Sequence, residues 1–333
     1  MSAIHALDPY YLALTLLVTI AYQLFGFAIA WTLQFDKITD FTGGSNFFLL
    51  ALLTLLLGNT FCARNVVATI LVLVWAVRLA AFLLFRVLKR GSDTRFDVVR
   101  SHFFKFLGFW IGQIIWVWTV SLPVVIVNSP SVSNARGSRC SPAFGTSRDI
   151  AGIVVWVVGW AIESIADIQK YRYKSSKHPQ NEVMSTGLWR WSRHPPYFGE
   201  ILCWWGIWIL CLSPTTSNGG LSSPARAAQY GAIVSPIFTT LAKLRSLLMF
   251  GSGIPLAEKG QARKFHSLND ESNQAWLDYL SYLSSTSILV PLPPIIYRRL
   301  PKFVKATILL DFPMYRTFGS DADGAQSYPG NTP

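Results

Sequence analysis

Charge is scarce in this sequence. Only 14% of its 333 residues are Asp, Glu, Lys or Arg, against about a quarter in an ordinary soluble domain. The apolar residues make up 51% and come in blocks, which excludes a conventional soluble domain and indicates an integral membrane protein. Cysteine is sparse: Cys62, Cys140, Cys203 and Cys211 form no C-x-x-C and no Cys/His spacing, so neither a metal site nor a disulfide framework is expected. The sequence lacks G-x-G-x-x-G, Walker A, G-x-S-x-G and H-E-x-x-H strings, which argues against soluble nucleotide folds and hydrolases. Its start, MSAIHALDPYY, has no basic stretch and no small-residue cleavage site, so the first apolar run is expected to stay as a span.

Apolar runs cover 11–33, 46–62, 66–85, 106–127, 150–168 and 195–212. A seventh, 230–254, is interrupted by Lys243 and Arg245. Those two side chains either face the bundle interior or mark an irregular insertion. The expected fold is all-α, a polytopic transmembrane bundle of about seven spans. Residues 1–314 read as one integral membrane domain, and 315–333 as a disordered tail. The segment 34–45 reads as a linker, and 128–149, rich in Ser, Pro and Gly, as a mobile loop.

The formal charge is +12. Because the basic residues flank apolar blocks, they read as membrane borders and not as a nucleic-acid surface. Loops 34–45, 86–105, 169–194 and the tail share one side and carry most of the Lys and Arg. The positive-inside rule places that side in the cytosol, where NADPH and S-adenosylmethionine are found.

The chain is organised around GLWRWSRHPPYFGEILCWWGIW, residues 187–208. Pro195 and Pro196 suit the first turn of a helix, where a missing N–H costs nothing. Tyr197, Glu200 and Trp204 then share one helix face. A carboxylate inside an apolar helix is expensive unless it has a partner or a job. Arg190, Arg193 and His194 precede the helix, where forked donors and a helix N-terminus suit phosphate. Equally, they would flank a span and meet lipid headgroups. Tyr197 could donate a proton and Glu200 orient a ligand; the plainer reading is an interfacial tyrosine and a structural ion pair. Asp167 and Lys170, with Glu163 and Arg172 beside them, either line a polar face or form surface pairs of little value. Arg78 sits inside an apolar run and needs a partner, while Asp93, Arg95, Asp97 and Arg100 read as a salt-bridged turn.

The same string resembles the C-terminal signature of steroid 5-alpha-reductase-like membrane proteins, and within them the DUF1295 branch. DKITDFTGGSNF, RLAAFLLFRVLKRGSDTRFDVVR, ESIADIQKYRYK and SGIPLAEK are similar to that branch too, so the resemblance covers roughly 30–312. The R-H-P-x-Y-x-G-E core is shared with sterol reductases and isoprenylcysteine carboxyl methyltransferases. The resemblance implies a cofactor slot open to the cytosol. It assigns Asp167, Lys170, Arg172, Arg190, Arg193 and His194 to cofactor binding, with Glu258, Tyr279 and Tyr282 closing the slot. Tyr197 and Glu200 are the catalytic candidates. Pro196 stands where the pattern usually has Asn, and the LAKLRS piece breaks a run that is normally apolar.

These readings converge on NADPH-dependent reduction of a C=C bond in a membrane lipid, in the endoplasmic reticulum. Two alternatives remain open at this point: an S-adenosylmethionine-dependent methyltransferase, and a non-catalytic lipid-binding protein. No metal and no nucleic-acid partner is expected.

Overall fold

The computed structural model describes residues 4, 6–34, 38–90, 101–133, 140–179, 181–216, 221–245, 254–268 and 274–312. Among these the architecture is helical. The long elements are α1 (Leu12–Thr32), α2 (Ile38–Gly58), α3 (Ala63–Arg90), α4 (Phe103–Asn128), α6 (Ser147–Ser175) and α7 (Pro195–Cys211), with a short α5 (Pro130–Ser133) after α4. Six stretches built on the long helices are long and apolar enough to cross a membrane. Shorter helices follow: α8 (Ser223–Gly231), α9 (Val234–Arg245), α10 (Ile254–Ser267), α11 (Gln274–Ser285), α12 (Pro294–Arg299) and α13 (Lys302–Thr307). The charged stretch 91–100, the residues 246–253 and the tail 315–333 lie outside the described residues.

The chain groups into two compact units. The first takes the described residues up to Val157 and those within 203–240. Here the reading of 34–45 as a linker is corrected, because α2 already begins at Ile38. Thr39, Thr42 and Asn46 are polar yet fully or almost fully buried. Gln113 Nε2 donates to the Thr39 carbonyl at 3.0 Å, and Gln23 Nε2 donates to Asn46 Oδ1 at 3.0 Å. A lipid-facing bundle puts polar side chains inside, where helices bond to one another. Phe47, Trp75 and Trp204 close the core, with ring centroids 5.0–5.3 Å apart.

This unit also corrects the expectation about cysteine. Cys62, just before α3, is bonded to Cys140. Beside that bridge Arg64 is buried, its Nε 2.8 Å from Asp149 Oδ1, and it donates to the carbonyls of Pro142 and Ala143. A cavity of about 430 Å³ opens there, lined by Cys62, Arg64, Cys140 and Phe144.

The second unit takes the described residues within 158–202, those within 241–245 and those from Ile254 onward. Its strand-like pairing among the described residues is an isolated bridge between Ser192 and Ser287. Within each unit α6 and α7 approach through glycine. A Cβ on Gly206 would lie 2.6 Å from the Gly152 carbonyl, and one on Gly199 would lie 2.5 Å from the Gly159 carbonyl. Small residues of this kind let membrane helices meet backbone to backbone.

Candidate active site at the start of α7

Backbone holds the turn before α7 in place. Arg193 N donates to the Ser287 carbonyl at 2.8 Å, and Leu292 N donates to the Trp191 carbonyl at 3.0 Å. Ser192 Oγ donates to the Leu289 carbonyl at 2.7 Å. Upstream, Trp189 Nε1 donates to the Ala166 carbonyl at 3.0 Å and Leu188 N to Gln169 Oε1 at 3.0 Å. Gly187 has a φ of +58° and touches the Gln169 amide where a Cβ would collide, so glycine is required there.

Arg193 is buried between two carboxylates. Its Nη1 lies 2.5 Å from Glu258 Oε2 and its Nη2 3.2 Å from Asp311 Oδ1. His194 Nε2 lies 2.6 Å from Glu258 Oε1, and the Tyr297 hydroxyl donates to the other oxygen of Asp311. Burial holds the His194 imidazole below its ordinary range, against the pull of Glu258. Burial opposes ionisation of Glu258, but Arg193 and His194 outweigh it and hold that carboxyl below its ordinary range. Near neutral pH the set is a guanidinium, an ionised Glu258 and a neutral imidazole that donates through Nε2.

A second group lies one turn into α7. Glu200 is buried, and its Oε2 is 2.8 Å from Lys243 Nζ on α9. Its other oxygen, Oε1, has no hydrogen-bond donor among the described residues. Lys243 Nζ also sits 5.0 Å from the ring centroid of Tyr197, and the His194 ring stacks on that phenol at 5.4 Å. Lys243 is therefore paired inside the fold, and its part of the interruption in the seventh run is an ion pair.

Of the residues singled out in the sequence, Arg193, His194 and Glu258 meet directly, and Tyr197 and Glu200 meet through Lys243. Lys170 Nζ lies 4.7 Å from the Trp189 ring centroid. Asp167 is half-buried on α6, a turn before Lys170. Arg172 and Arg190 are exposed and outside the buried network. Tyr282 donates to the Trp189 carbonyl at 2.7 Å, and burial raises its phenol above the ordinary range. Tyr279 is core, stacked on Phe265 at 4.9 Å.

The family model described as "Protein of unknown function (DUF1295)" matches residues 26–275. The chain belongs to the DUF1295 family. No curated protein matches it, and no solved structure does. The match ends before two residues that complete the site of this DUF1295 protein. Asp311 and Tyr297 escaped sequence reasoning because they lie in a short, mixed apolar and basic stretch with no motif. Pairing Glu200 with Lys243 was the one further signal available, as both are charges in apolar runs.

Proposed function

We propose that this DUF1295 protein is a membrane oxidoreductase that reduces a C=C bond of a lipid with NADPH. The observation that carries the reading is Glu200: a buried carboxylate, one oxygen on Lys243, the other without a donor. A buried acceptor left bare costs about 1–3 kcal/mol, and a hydroxyl of a bound ribose would supply the missing donor. Arg193 is committed to Glu258 and Asp311, so a phosphate there would have to displace one of them. The exposed Arg172 and Arg190 offer forked donors to phosphate without that exchange. When bound, NADPH supplies the hydride. Tyr197 donates the proton to the neighbouring carbon, Lys243 keeps positive charge beside that phenol, and Glu200 fixes the position of both partners.

Two observations favour a cytosolic site in an endomembrane such as the endoplasmic reticulum. Most Lys and Arg fall on the side of the 169–194 loop, as the positive-inside rule expects of the cytosolic face. The Cys62–Cys140 bond joins two loops on the opposite side by alternation of the spans, and such bonds persist in oxidising compartments.

The test is binding of NADPH and of S-adenosylmethionine to detergent-purified protein and to Glu200→Gln. The proposal expects NADPH binding that weakens about tenfold or more in the variant, the loss of one hydrogen bond to a charged group. Binding of S-adenosylmethionine alone would favour the methyltransferase. Stabilisation by neither would favour a non-catalytic protein.

A further inference from the structure

Residues 293–308 run along the second unit with two unlike sides. One side is tied inward. Tyr297 and Leu309 are buried, and Asp311 reaches Arg193. The other side shows Ile295, Ile296, Phe303 and Ile308, with exposures of 71%, 50%, 74% and 67%. Between them in sequence are the exposed Arg298, Arg299 and Lys302, and Lys305, whose Nζ lies 4.4 Å from the centroid of the buried Tyr297 ring. The stretch holds no acidic residue, and the nearest in sequence, Asp311, is buried on Arg193.

The depth of this segment follows from what it touches. Leu292 is bonded to Trp191 and Ser287 to Arg193, and Asp311 is paired with Arg193. Pro195 opens an apolar stretch long enough to cross a membrane. The segment is therefore fixed at the level where a span begins, beside the headgroups. Exposed Ile and Phe among basic side chains at that level match an interfacial element attracted by anionic lipid.

We propose that residues 293–308 form a docking surface for anionic phospholipid. Ile295, Ile296, Phe303 and Ile308 enter the acyl boundary, and the exposed Arg298 and Arg299 meet lipid phosphates. Docking holds the Tyr297–Asp311 side on Arg193, so membrane composition is coupled to the site. The inference does not depend on which cofactor binds.

The test uses the full chain in nanodiscs of phosphatidylcholine, with or without phosphatidylserine. A fluorophore is placed at Thr307→Cys, which keeps all four apolar side chains, and at the exposed Lys177→Cys, in the charged loop after α6, as a water-side control. Quenching by brominated acyl chains is compared with quenching by aqueous iodide. The lipid-to-iodide ratio should be several-fold higher at 307 than at 177 and should rise with phosphatidylserine. Changing Arg298 and Arg299 together to Gln should abolish that rise. Equal iodide access at both positions, whatever the lipid, would overturn the proposal. So would protection seen only in discs that hold two copies, which would mark a protein interface.

Discussion

Lys243 Nζ lies 2.8 Å from Glu200 Oε2, joining α9 to α7 through a pair of charges removed from water. The carboxylate stands a little over one turn inside an apolar helix and the ammonium near the end of another. Each answers the cost of the other.

That reciprocity can be measured. Removing either partner leaves a buried charge unpaired, which costs about 3–5 kcal/mol. Glu200→Gln and Lys243→Met should each lower the thermal unfolding midpoint in detergent. The double variant should lie above the less stable single one, because two uncharged side chains leave no orphaned charge. Additive losses in the cycle would show that the two residues do not interact.

Acid should weaken the second unit in two stages. Burial depresses His194 from an ordinary value of 6.5, and Arg193 with His194 depresses Glu258 from 4.5 against the opposing effect of burial. For both groups the unfolded chain binds more protons, so stability rises with pH. The contribution of His194 is complete above pH 6.5 and is lost as pH falls from there towards its folded value. That of Glu258 is complete above 4.5 and is lost below it. Midpoints recorded from neutral to acid pH should fall in that order, and Glu258→Gln should flatten the lower stage.

Close helix approach gives a steric prediction. A Cβ at Gly199 would lie 2.5 Å from the Gly159 carbonyl and 2.7 Å from Glu163 N. Backbone cannot yield there cheaply, so Gly199→Ala should destabilise by about 1–3 kcal/mol. Gly231 has nothing within 4 Å of its Cβ position, and Gly231→Ala should be neutral or stabilising by up to about 1 kcal/mol. Unfolding of the two variants side by side separates packing from helix propensity.

The bond between Cys62 and Cys140 is checked by alkylation. In protein extracted without reductant neither residue should react with a maleimide, and both should after reduction. The bond spans 78 residues, so Cys62→Ser with Cys140→Ser should cost about 4.5 kcal/mol on the chain-entropy account. Two reactive thiols before reduction would remove this argument for orientation.

The spans were legible because runs of Leu, Val, Ile and Trp have no other use at that length. The start of α2 was not, because Thr39 and Thr42 look like a linker until a membrane bundle inverts the usual pattern and buries them. Glu200 announced itself as a carboxylate in an apolar helix. Its partner was visible only as an interruption of a span, since no sequence rule pairs residues 43 positions apart. Asp311 is a lone acid in a short apolar piece too brief to read as a span, and only the folded chain brings it to Arg193. The disulfide was hidden for a similar reason: Cys62 and Cys140 are widely separated in sequence, and the helices between them bring the loops together.

The central claim, hydride delivery to a lipid, is tested most directly by isotope transfer. NADPH carrying deuterium at the nicotinamide C4 is supplied to purified protein with a total lipid extract, and the lipids are analysed by mass. The account predicts deuterium in one unsaturated lipid class, reduced by about tenfold or more with Glu200→Gln. Lipids that remain unlabelled, alongside methyl transfer from S-adenosylmethionine by the same preparation, would contradict it.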